Sequence, residues 1–266
     1  MLAKAPTLGI SLIAHNEGAM IGEALASASF ADRLVVVDCA STDDTAAIAA
    51  SHPEVTVFSR PNNPNLNVNK SFGFDQLDTD WIFYLDPDER IPAATAAEIR
   101  EVIAKDPEGI RHAAFRLPRV NHFFGHPLLH GGQYPDRQLR LFKRNKARFP
   151  NRHVHESLEV DGTVGLLEQP FDHHPYPTLS IYLRKMDFYA TFQANFWMNA
   201  GIRPNSLSAF RYFVARPAGR FLRRFVLRCG FRDGWAGFIA AAGDAFQIMV
   251  SYAKLIEMAD NRSSHP

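Results

Sequence analysis

The sequence predicts an α/β fold: a mainly parallel sheet flanked by helices, followed by a helical C-terminal extension. Two observations support this prediction. Short apolar runs alternate with helix-like segments through the first hundred residues, and the pattern after Pro177 is largely helical to the end. A chain of 266 residues with 46% hydrophobic residues can also bury a substantial core, which excludes a disordered or fibrous protein.

Four apolar runs in the first part have the length and composition of buried strands. A helix is expected from Glu17 to Ser27, and a second one opens at Ser41 to Asp44, where hydroxyl and carboxylate groups can cap free N–H groups. Both helix starts follow strand ends, which is where ligands bind in open α/β sheets. The predicted strands are residues 9–14, 34–39, 55–59 and 81–86.

The pattern changes near residue 111 to irregular segments rich in Phe, His and Pro. Strands are expected at 113–119 and 137–144, and the helical part that follows should break at Pro217 and again between Gly230 and Gly234. We therefore divide the chain into residues 1–110, 111–176 and 177–266.

Charge is distributed unevenly along the chain, although the net charge is only +1. Residues 1–111 hold 8 Lys or Arg against 17 Asp or Glu, whereas residues 112–266 hold 21 against 11. The two parts should therefore face different partners. The two cysteines are far apart and favour a reducing cytosol, and the apolar start is too short for a signal peptide.

The stretch WIFYLDPDER, residues 81–90, ends an apolar run in three acidic residues. Carboxylates two residues apart at a strand end suit Mg²⁺ or Mn²⁺, and such an ion can also take phosphate oxygens from a substrate. An isolated D-x-D motif is more often a solvated turn. Here other polar residues are expected at the same sheet edge: His15, Asn16 and Glu17; Asp38, Ser41, Thr42 and Asp43; and Asn67, Asn69 and Lys70.

These motifs together resemble a family 2 glycosyltransferase of GT-A fold. The resemblance covers roughly residues 8–90 and consists of Asn-Glu after strand one, VVDxxSxDxT after strand two and D-x-D after strand four. QYPDRQLRLFKR (133–144) followed by HVHE (153–156) resembles the bacterial branch that includes lipopolysaccharide core glucosyltransferases. Pro87 stands where that branch commonly has Ala, which stiffens the loop without removing a ligand.

The resemblance implies a nucleotide-sugar half (1–110), an acceptor-binding and catalytic half (111–176) and a basic extension (177–266). Asp38 would bind the uracil or ribose of the donor, and a buried carboxylate at a strand end is otherwise costly. Glu17 and Asp43 would support that pocket, although a helix start explains each equally well. The implied donor-binding residues are His15, Asn16, Glu17, Asp38, Thr42, Asp43, Asn69, Lys70 and Asp86, and the implied metal ligands are Asp86 and Asp88.

Inverting transfer requires a base that deprotonates the acceptor hydroxyl. Glu156 and Asp136 are the candidates, with Glu156 preferred, and His155 beside Glu156 could contact metal or phosphate. A zinc cluster of His153, His155, His173 and His174 is a weaker interpretation, because such sites usually contain Cys.

Other functions fit the sequence less well. A dinucleotide-binding enzyme and a sugar nucleotidyltransferase both require Gly-rich loops after the first strand, and IAHNEGAMIG provides neither. A non-enzymatic membrane scaffold would leave the acidic N-terminal residues without a purpose. We therefore expect an inverting, metal-dependent transfer of a hexose from a nucleotide sugar, a UDP-sugar in the first place, to a lipid-linked glycan such as lipopolysaccharide inner core.

Residues 201–232 contain eight Arg and no acidic residue or Lys. Arg220, Arg223, Arg224 and Arg228 share one predicted helix face, and Phe221, Leu222, Phe225, Val226 and Cys229 share another. This pattern predicts a helix at an anionic membrane surface, on the inner face of the cytoplasmic membrane. Alternatively, the helix packs its apolar face on the domain. Asp244 and Lys254 interrupt the next apolar segment, so no spanning helix is expected, and no nucleic-acid partner is expected either.

Overall fold

The structure is a computed structural model that describes residues 5–106, 109–150 and 156–264, with side chains described as far as Asn261. Two compact units are present. Unit 1 comprises Met1–Arg119 and Asp136–His173, and unit 2 comprises Val120–Pro135 and His174–Pro266. The predicted segments 1–110, 111–176 and 177–266 differ in expected function and are not expected to be compact units, so this division stays a prediction.

Unit 1 begins with the alternating strands and helices that the sequence predicts. Apolar and β-branched residues form the strands, whose side chains are buried on both faces of a parallel sheet. The helices start close to the predicted positions. The elements are β1 (Leu8–Ala14), α1 (Gly18–Ala28), β2 (Arg33–Asp38), α2 (Thr45–Ala50), β3 (Val55–Ser59), α3 (Leu66–Asp75), β4 (Trp81–Leu85), β5 (Glu89–Arg90) and α4 (Ala93–Ala104).

The following strands pair mostly antiparallel with their neighbours. They are β6 (His112–Phe123), β8 (Asp136–Lys143), β9 (Ala147–Arg148), β10 (Glu159–Val160), β11 (Thr163–Leu166) and β12 (Phe171–Tyr176), and β7 (His126–Leu128) lies in unit 2. The strand order is β3-β2-β1-β4-β8-β6-β12-β5, with β11 also paired to β6. β1 is parallel to β2 and β4, whereas β8 runs antiparallel to β4 and β6.

The core of unit 1 lies on both faces of the sheet, because successive side chains of a strand point to opposite sides. Ile10 and Leu12 of β1 pack on the face covered by Ile21, Leu25 and Ile99 of the helices. Ile13, Val37 and Phe74 belong to the opposite face, which α3 covers. The structure is thus the mixed, mainly parallel α/β fold with flanking helices that the sequence predicts.

Unit 2 is mainly helical. Its helices are α5 (Leu179–Asn199), α6 (Ser206–Phe210), α7 (Arg216–Phe221) and α8 (Gly234–Ser264). Trp197, Tyr212, Tyr252 and Leu255 form one of its apolar clusters, and the rings of Tyr212 and Tyr252 stack with centroids 5.0 Å apart.

The expected break at Pro217 does not occur. α6 and α7 form one helical run with two π-helical segments, Arg211–Ala215 and Leu222–Leu227, and Pro217 lies in the first turn of α7. Proline has no N–H group to donate, and it follows closely on the π-helical segment Arg211–Ala215, where the regular α-helical hydrogen-bond pattern is already interrupted. The second expected break is confirmed: the short 3₁₀ segment Gly230–Asp233 separates this run from α8.

One helical stretch, Gly230–Asn261, is long and apolar enough to cross a membrane by length and composition, with a mean hydropathy of 1.2 in its most apolar window. A third of that window is buried within the folded chain. Tyr252 and Leu255 are fully buried, and Lys254 forms an ion pair of 2.7 Å with Asp187 of α5. The same composition therefore also fits a helix that packs inside unit 2.

Candidate active site

The loops that follow β1 and β2 are joined by hydrogen bonds. The register pairs Ala14 with Asp38, so the two loops leave the sheet side by side. Asn16 Oδ1 accepts a hydrogen bond of 2.8 Å from Thr42 N, and its own N–H donates to Ser41 Oγ. His15 Nδ1 lies 2.7 Å from the carbonyl oxygen of Cys39. These contacts bring the first two predicted motifs together.

Asp43 stabilises the starts of two helices. Its carboxylate accepts hydrogen bonds of 3.0 Å from Gly18 N and from Thr45 N, and the hydroxyl of Thr45 also donates to it. The hydrogen bond from the Thr45 side chain is the largest cause that holds the pKa of Asp43 below its usual value. The N–H of Glu17 donates to Thr45 Oγ1 at 2.8 Å. Asp43 thus has a structural role, and its predicted contact with a donor stays a prediction.

Asp38 is different, because its environment leaves one carboxylate oxygen without a partner. The residue is only 4% exposed. Oδ2 accepts a long hydrogen bond of 3.4 Å from Ser41 N, whereas Oδ1 is buried and has no hydrogen-bond partner among the described residues. A buried acceptor without a partner costs about 1–3 kcal/mol. The arrangement is suited to accept a hydrogen bond from a ligand.

α3 contributes two of the predicted residues in different ways. Asn69 is fully buried, and its amide group contacts Arg60 Nε, Cys39 Sγ and the carbonyl oxygen of Pro61. These contacts tie α3 to the ends of β2 and β3, and a contact of Asn69 with a donor stays a prediction. Lys70 instead extends toward the end of β4, where its Nζ lies 2.9 Å from Asp86 Oδ1.

The two predicted metal ligands in the acidic loop after β4 have different partners. Asp86 already has two cationic partners, because Arg140 Nη2 lies 3.0 Å from its Oδ2 and Lys70 contacts the other oxygen. Asp88 lies beside a histidine, with 3.4 Å between its Oδ2 and His173 Nε2. A carboxylate and an imidazole are common ligands of Mn²⁺ and related divalent cations. Asp88 and His173 are therefore close enough to share a metal ion, and the metal binding expected of Asp86 and Asp88 stays a prediction.

Buried charges continue from this loop toward the second half of unit 1. Glu89 is completely buried, and its Oε1 lies 2.5 Å from Arg140 Nη2 and 3.3 Å from Arg119 Nη1. Arg119 also donates two hydrogen bonds, of 3.0 and 2.7 Å, to Asp136 Oδ2. The charges thus alternate in sign along the network Lys70, Asp86, Arg140, Glu89, Arg119 and Asp136.

The network controls the protonation of its members. Burial alone would raise the pKa of Asp86, but the charges of Lys70 and Arg140 outweigh it and hold this pKa well below its usual value. For Glu89 burial dominates and raises the pKa, although Arg140 opposes it. Asp86 is therefore ionised at neutral pH.

The two predicted bases have different surroundings. Asp136 begins β8, and its oxygens accept hydrogen bonds from Arg119 and from Gln138 Nε2, the latter at 2.7 Å. An Arg partner stabilises the ionised carboxylate and occupies the lone pairs that a base would use. Glu156 is half-buried, and His155 lies outside the described residues. The choice between Glu156 and Asp136 as the base stays a prediction.

The sequence motifs alone point to no role for Arg119, Arg140 or Glu89. A signal was present, because Arg140 interrupts an apolar run in a predicted strand, and a buried cation requires an anionic partner. The sequence suggests for His173 only a place in a zinc cluster. Its proximity to Asp88 depends on the pairing of β12 with β5, where His173 lies opposite Glu89.

The mixed sheet and the residues at its carboxyl edge define the class of protein as a glycosyltransferase of GT-A fold. The chain belongs to glycosyl transferase family 2, whose sequence pattern matches residues 10–174. The chain is 28% identical over 263 residues to the lipopolysaccharide core biosynthesis glycosyltransferase LpsC of Rhizobium meliloti, covering 97% of this chain and 94% of that protein.

Further comparisons agree with this assignment. An uncharacterized glycosyltransferase of Rickettsia felis is 28% identical over 265 residues, which cover 92% of this chain and 88% of the relative. A solved structure with a similar fold is that of the mannosyltransferase PcManGT from Pyrobaculum calidifontis in complex with GDP-Man and Mn²⁺. It has a TM-score of 0.53 and 14% identity, and the similarity covers 96% of this chain and 88% of the other.

Proposed function

We propose that this glycosyltransferase inverts the anomeric centre while it moves a hexose from a UDP-sugar to a lipid-linked glycan of the lipopolysaccharide inner core. The observation that carries the proposal is Asp38 at the carboxyl end of β2, a buried carboxylate whose Oδ1 has no hydrogen-bond partner among the described residues. Only β1 lies between β2 and β4, the strand that leads into the acidic loop. The similarity over nearly the whole length to a lipopolysaccharide core transferase supports the acceptor class.

The donor nucleotide would be bound at the ends of β1 and β2. Asp38 Oδ1 would accept a hydrogen bond from the uracil or ribose, and His15 would lie against the base. The hydrogen bonds among Asn16, Ser41 and Thr42 hold the two loops before a ligand arrives. A site that is ordered in advance loses less conformational entropy on binding.

The diphosphate would lie near the acidic loop of β4. Lys70 is suited to contact a phosphate oxygen, since its Nζ lies at the edge of the buried charge network. Asp88 and His173 would hold Mg²⁺ or Mn²⁺, because they are two metal-binding groups only 3.4 Å apart. When bound, such a cation stabilises the negative charge of the departing diphosphate.

The acceptor hydroxyl would lose its proton to Glu156. An inverting reaction is a single displacement, so the base acts on the side of the sugar opposite to the diphosphate. Asp136 remains the second candidate. In the preferred assignment, the ion pair with Arg119 makes Asp136 a residue that positions the loop before β8.

A lipid-linked acceptor requires access to a membrane surface. Unit 2 exposes aromatic side chains at helical spacing on α5, namely Phe188, Phe192 and Phe196, which are 68%, 52% and 61% exposed. Leu222 and Val226 are exposed too, whereas Phe221 and Phe225 stack on each other and pack against Phe238. The apolar helix face expected from the sequence is thus partly exposed and partly packed. Exposed apolar side chains of this size favour peripheral attachment to a membrane.

The decisive experiment measures binding of UDP by calorimetry with and without Mn²⁺. Wild type should bind UDP in Mn²⁺ and lose most of its affinity in EDTA, whereas Asp88→Ala should bind weakly in both. Asp78→Ala, a change in another loop of unit 1, is the matched control and should behave like wild type. Equal UDP affinity of wild type with Mn²⁺ and with EDTA would contradict the metal-dependent proposal.

A further inference from the structure

Unit 2 contains a cavity of about 900 Å³ whose lining is dominated by arginine. The polar lining also includes Gln193, Gln247 and Ser251. A volume of this size holds a ligand considerably larger than one phosphate ion. The charged residues of the lining are Arg216, Arg220, Arg223, Arg224, Arg228 and Asp244.

The arginines share the cavity because of their spacing along the helical run. Arg216, Arg220, Arg224 and Arg228 follow one another at intervals of four residues, and Arg224 lies within the π-helical segment Leu222–Leu227. Like charges at this spacing destabilise a helix. π-helical turns are uncommon and occur often at functional sites. The arrangement therefore costs stability in the absence of an anion.

Asp244 offsets only part of this positive charge. It forms an ion pair with Arg224, and its Oδ2 lies 3.8 Å from Arg220 Nη1. Burial and the neighbouring Arg220 and Arg228 nevertheless hold the pKa of Arg224 below its usual value. With five guanidinium groups and one carboxylate, the lining carries an excess of four positive charges.

The backbone fixes two of the arginines in position. Arg224 Nε donates a hydrogen bond of 3.2 Å to the carbonyl oxygen of Gly131, and Gly131 N donates one of 2.8 Å to the carbonyl oxygen of Arg228. Gly132 has a φ of +76°, and a Cβ atom there would overlap with Arg228 Nη1. The Arg228 side chain can occupy this place only because residue 132 is glycine.

From this geometry we propose that the cavity binds phosphate groups, and that its ligand is a phosphorylated part of the lipid-linked acceptor. Planar guanidinium groups bind phosphate oxygens in pairs, which suits a cavity whose lining, among the described residues, contains Arg and no Lys. The proposal of a phosphate site does not depend on the proposed function, whereas the assignment of this phosphate to the acceptor rests on it. The cavity would hold the acceptor by a group that does not react.

Binding of inorganic pyrophosphate in EDTA tests the site separately from the metal-dependent donor site. Wild type should bind, and the double variant Arg220→Gln/Arg223→Gln should bind at least tenfold more weakly. The matched control is Arg203→Gln/Arg211→Gln, which removes two exposed charges of unit 2 outside the cavity and should retain wild-type affinity within about twofold. If thermal melting shows that the double variant is unstable, the single variant Arg223→Gln replaces it in the pyrophosphate binding experiment.

Dihexanoyl phosphatidic acid below its micelle concentration identifies the source of the phosphate. It should compete with pyrophosphate and bind more tightly, as expected for a lipid-borne group. Binding of pyrophosphate alone would support the phosphate site and overturn its assignment to the acceptor. An equal loss in both double variants, or binding only to vesicles of phosphatidylglycerol, would overturn the cavity proposal. Asp88→Ala should leave pyrophosphate affinity unchanged, so a failed donor site is distinguished from a failed cavity.

Discussion

Replacing Asp38 by Asn should weaken nucleotide binding and stabilise the free protein at the same time. The substitution keeps the shape of the side chain and an acceptor for Ser41 N, but it removes a buried charge and puts an amide where Oδ1 has no partner. Both effects follow from the same observation. A carboxylate that is 4% exposed and poorly hydrogen-bonded is costly until a ligand donates to it.

The two magnitudes can be worked out separately. A hydrogen bond to a charged group contributes about 1.5–3 kcal/mol, so the affinity for UDP should fall about 10- to 150-fold. Removing the unsatisfied buried charge should stabilise the fold by about 1–2 kcal/mol, since the amide recovers only part of the lost solvation. For a protein of this size that corresponds to an increase in Tm of about 2–8 °C.

Calorimetry with UDP and Mn²⁺ measures the first effect, and thermal melting followed by circular dichroism measures the second. Asp44→Asn removes the same charge from an exposed position in the same loop and should change neither quantity appreciably. If Asp38→Asn binds UDP as tightly as wild type, Asp38 does not contact the donor. If it melts at a lower temperature, the carboxylate is stabilised in the free protein and the reasoning from its empty hydrogen-bond position is wrong.

Three further predictions concern the rest of the site and the surface. Glu156→Gln should lower turnover by about 10² or more with little change in donor affinity, and Asp136→Asn should lower it less; the reverse ranking in initial-rate assays would move the base to Asp136. The stabilisation that Asp86 gains from Lys70 and Arg140 should be lost only as the pH falls below 3.8, because a lowered pKa keeps the pair charged above that value; urea titrations of wild type and Asp86→Asn should therefore differ equally at pH 7 and pH 5. Phe192→Ser/Phe196→Ser should reduce flotation with phosphatidylglycerol vesicles, whereas Phe58→Ser, in unit 1, should not; equal flotation of all three proteins would exclude attachment through α5.

The sequence by itself determined the fold and the first level of the site. The periods of the apolar runs predicted β1 to β4 and their helices, because strand and helix patterns depend on residues close together in the chain. The parallel arrangement then placed Asp38 and the Asp86 loop at one edge, since carboxyl ends of parallel strands coincide. The family resemblance followed from the spacing of these residues.

Only the tertiary structure decided which partner each charged residue has. Asp86 and Asp88 look equivalent in the sequence, yet pairing of β4 with β8 and of β5 with β12 gives the first an arginine and the second a histidine. The sequence places the arginines of residues 216–228 on one helix face, but only the packing of this helix in unit 2 shows that they line a cavity; their contact with a membrane stays a prediction. Contacts between residues far apart in the chain depend on register and helix packing, and a local pattern contains no information about either.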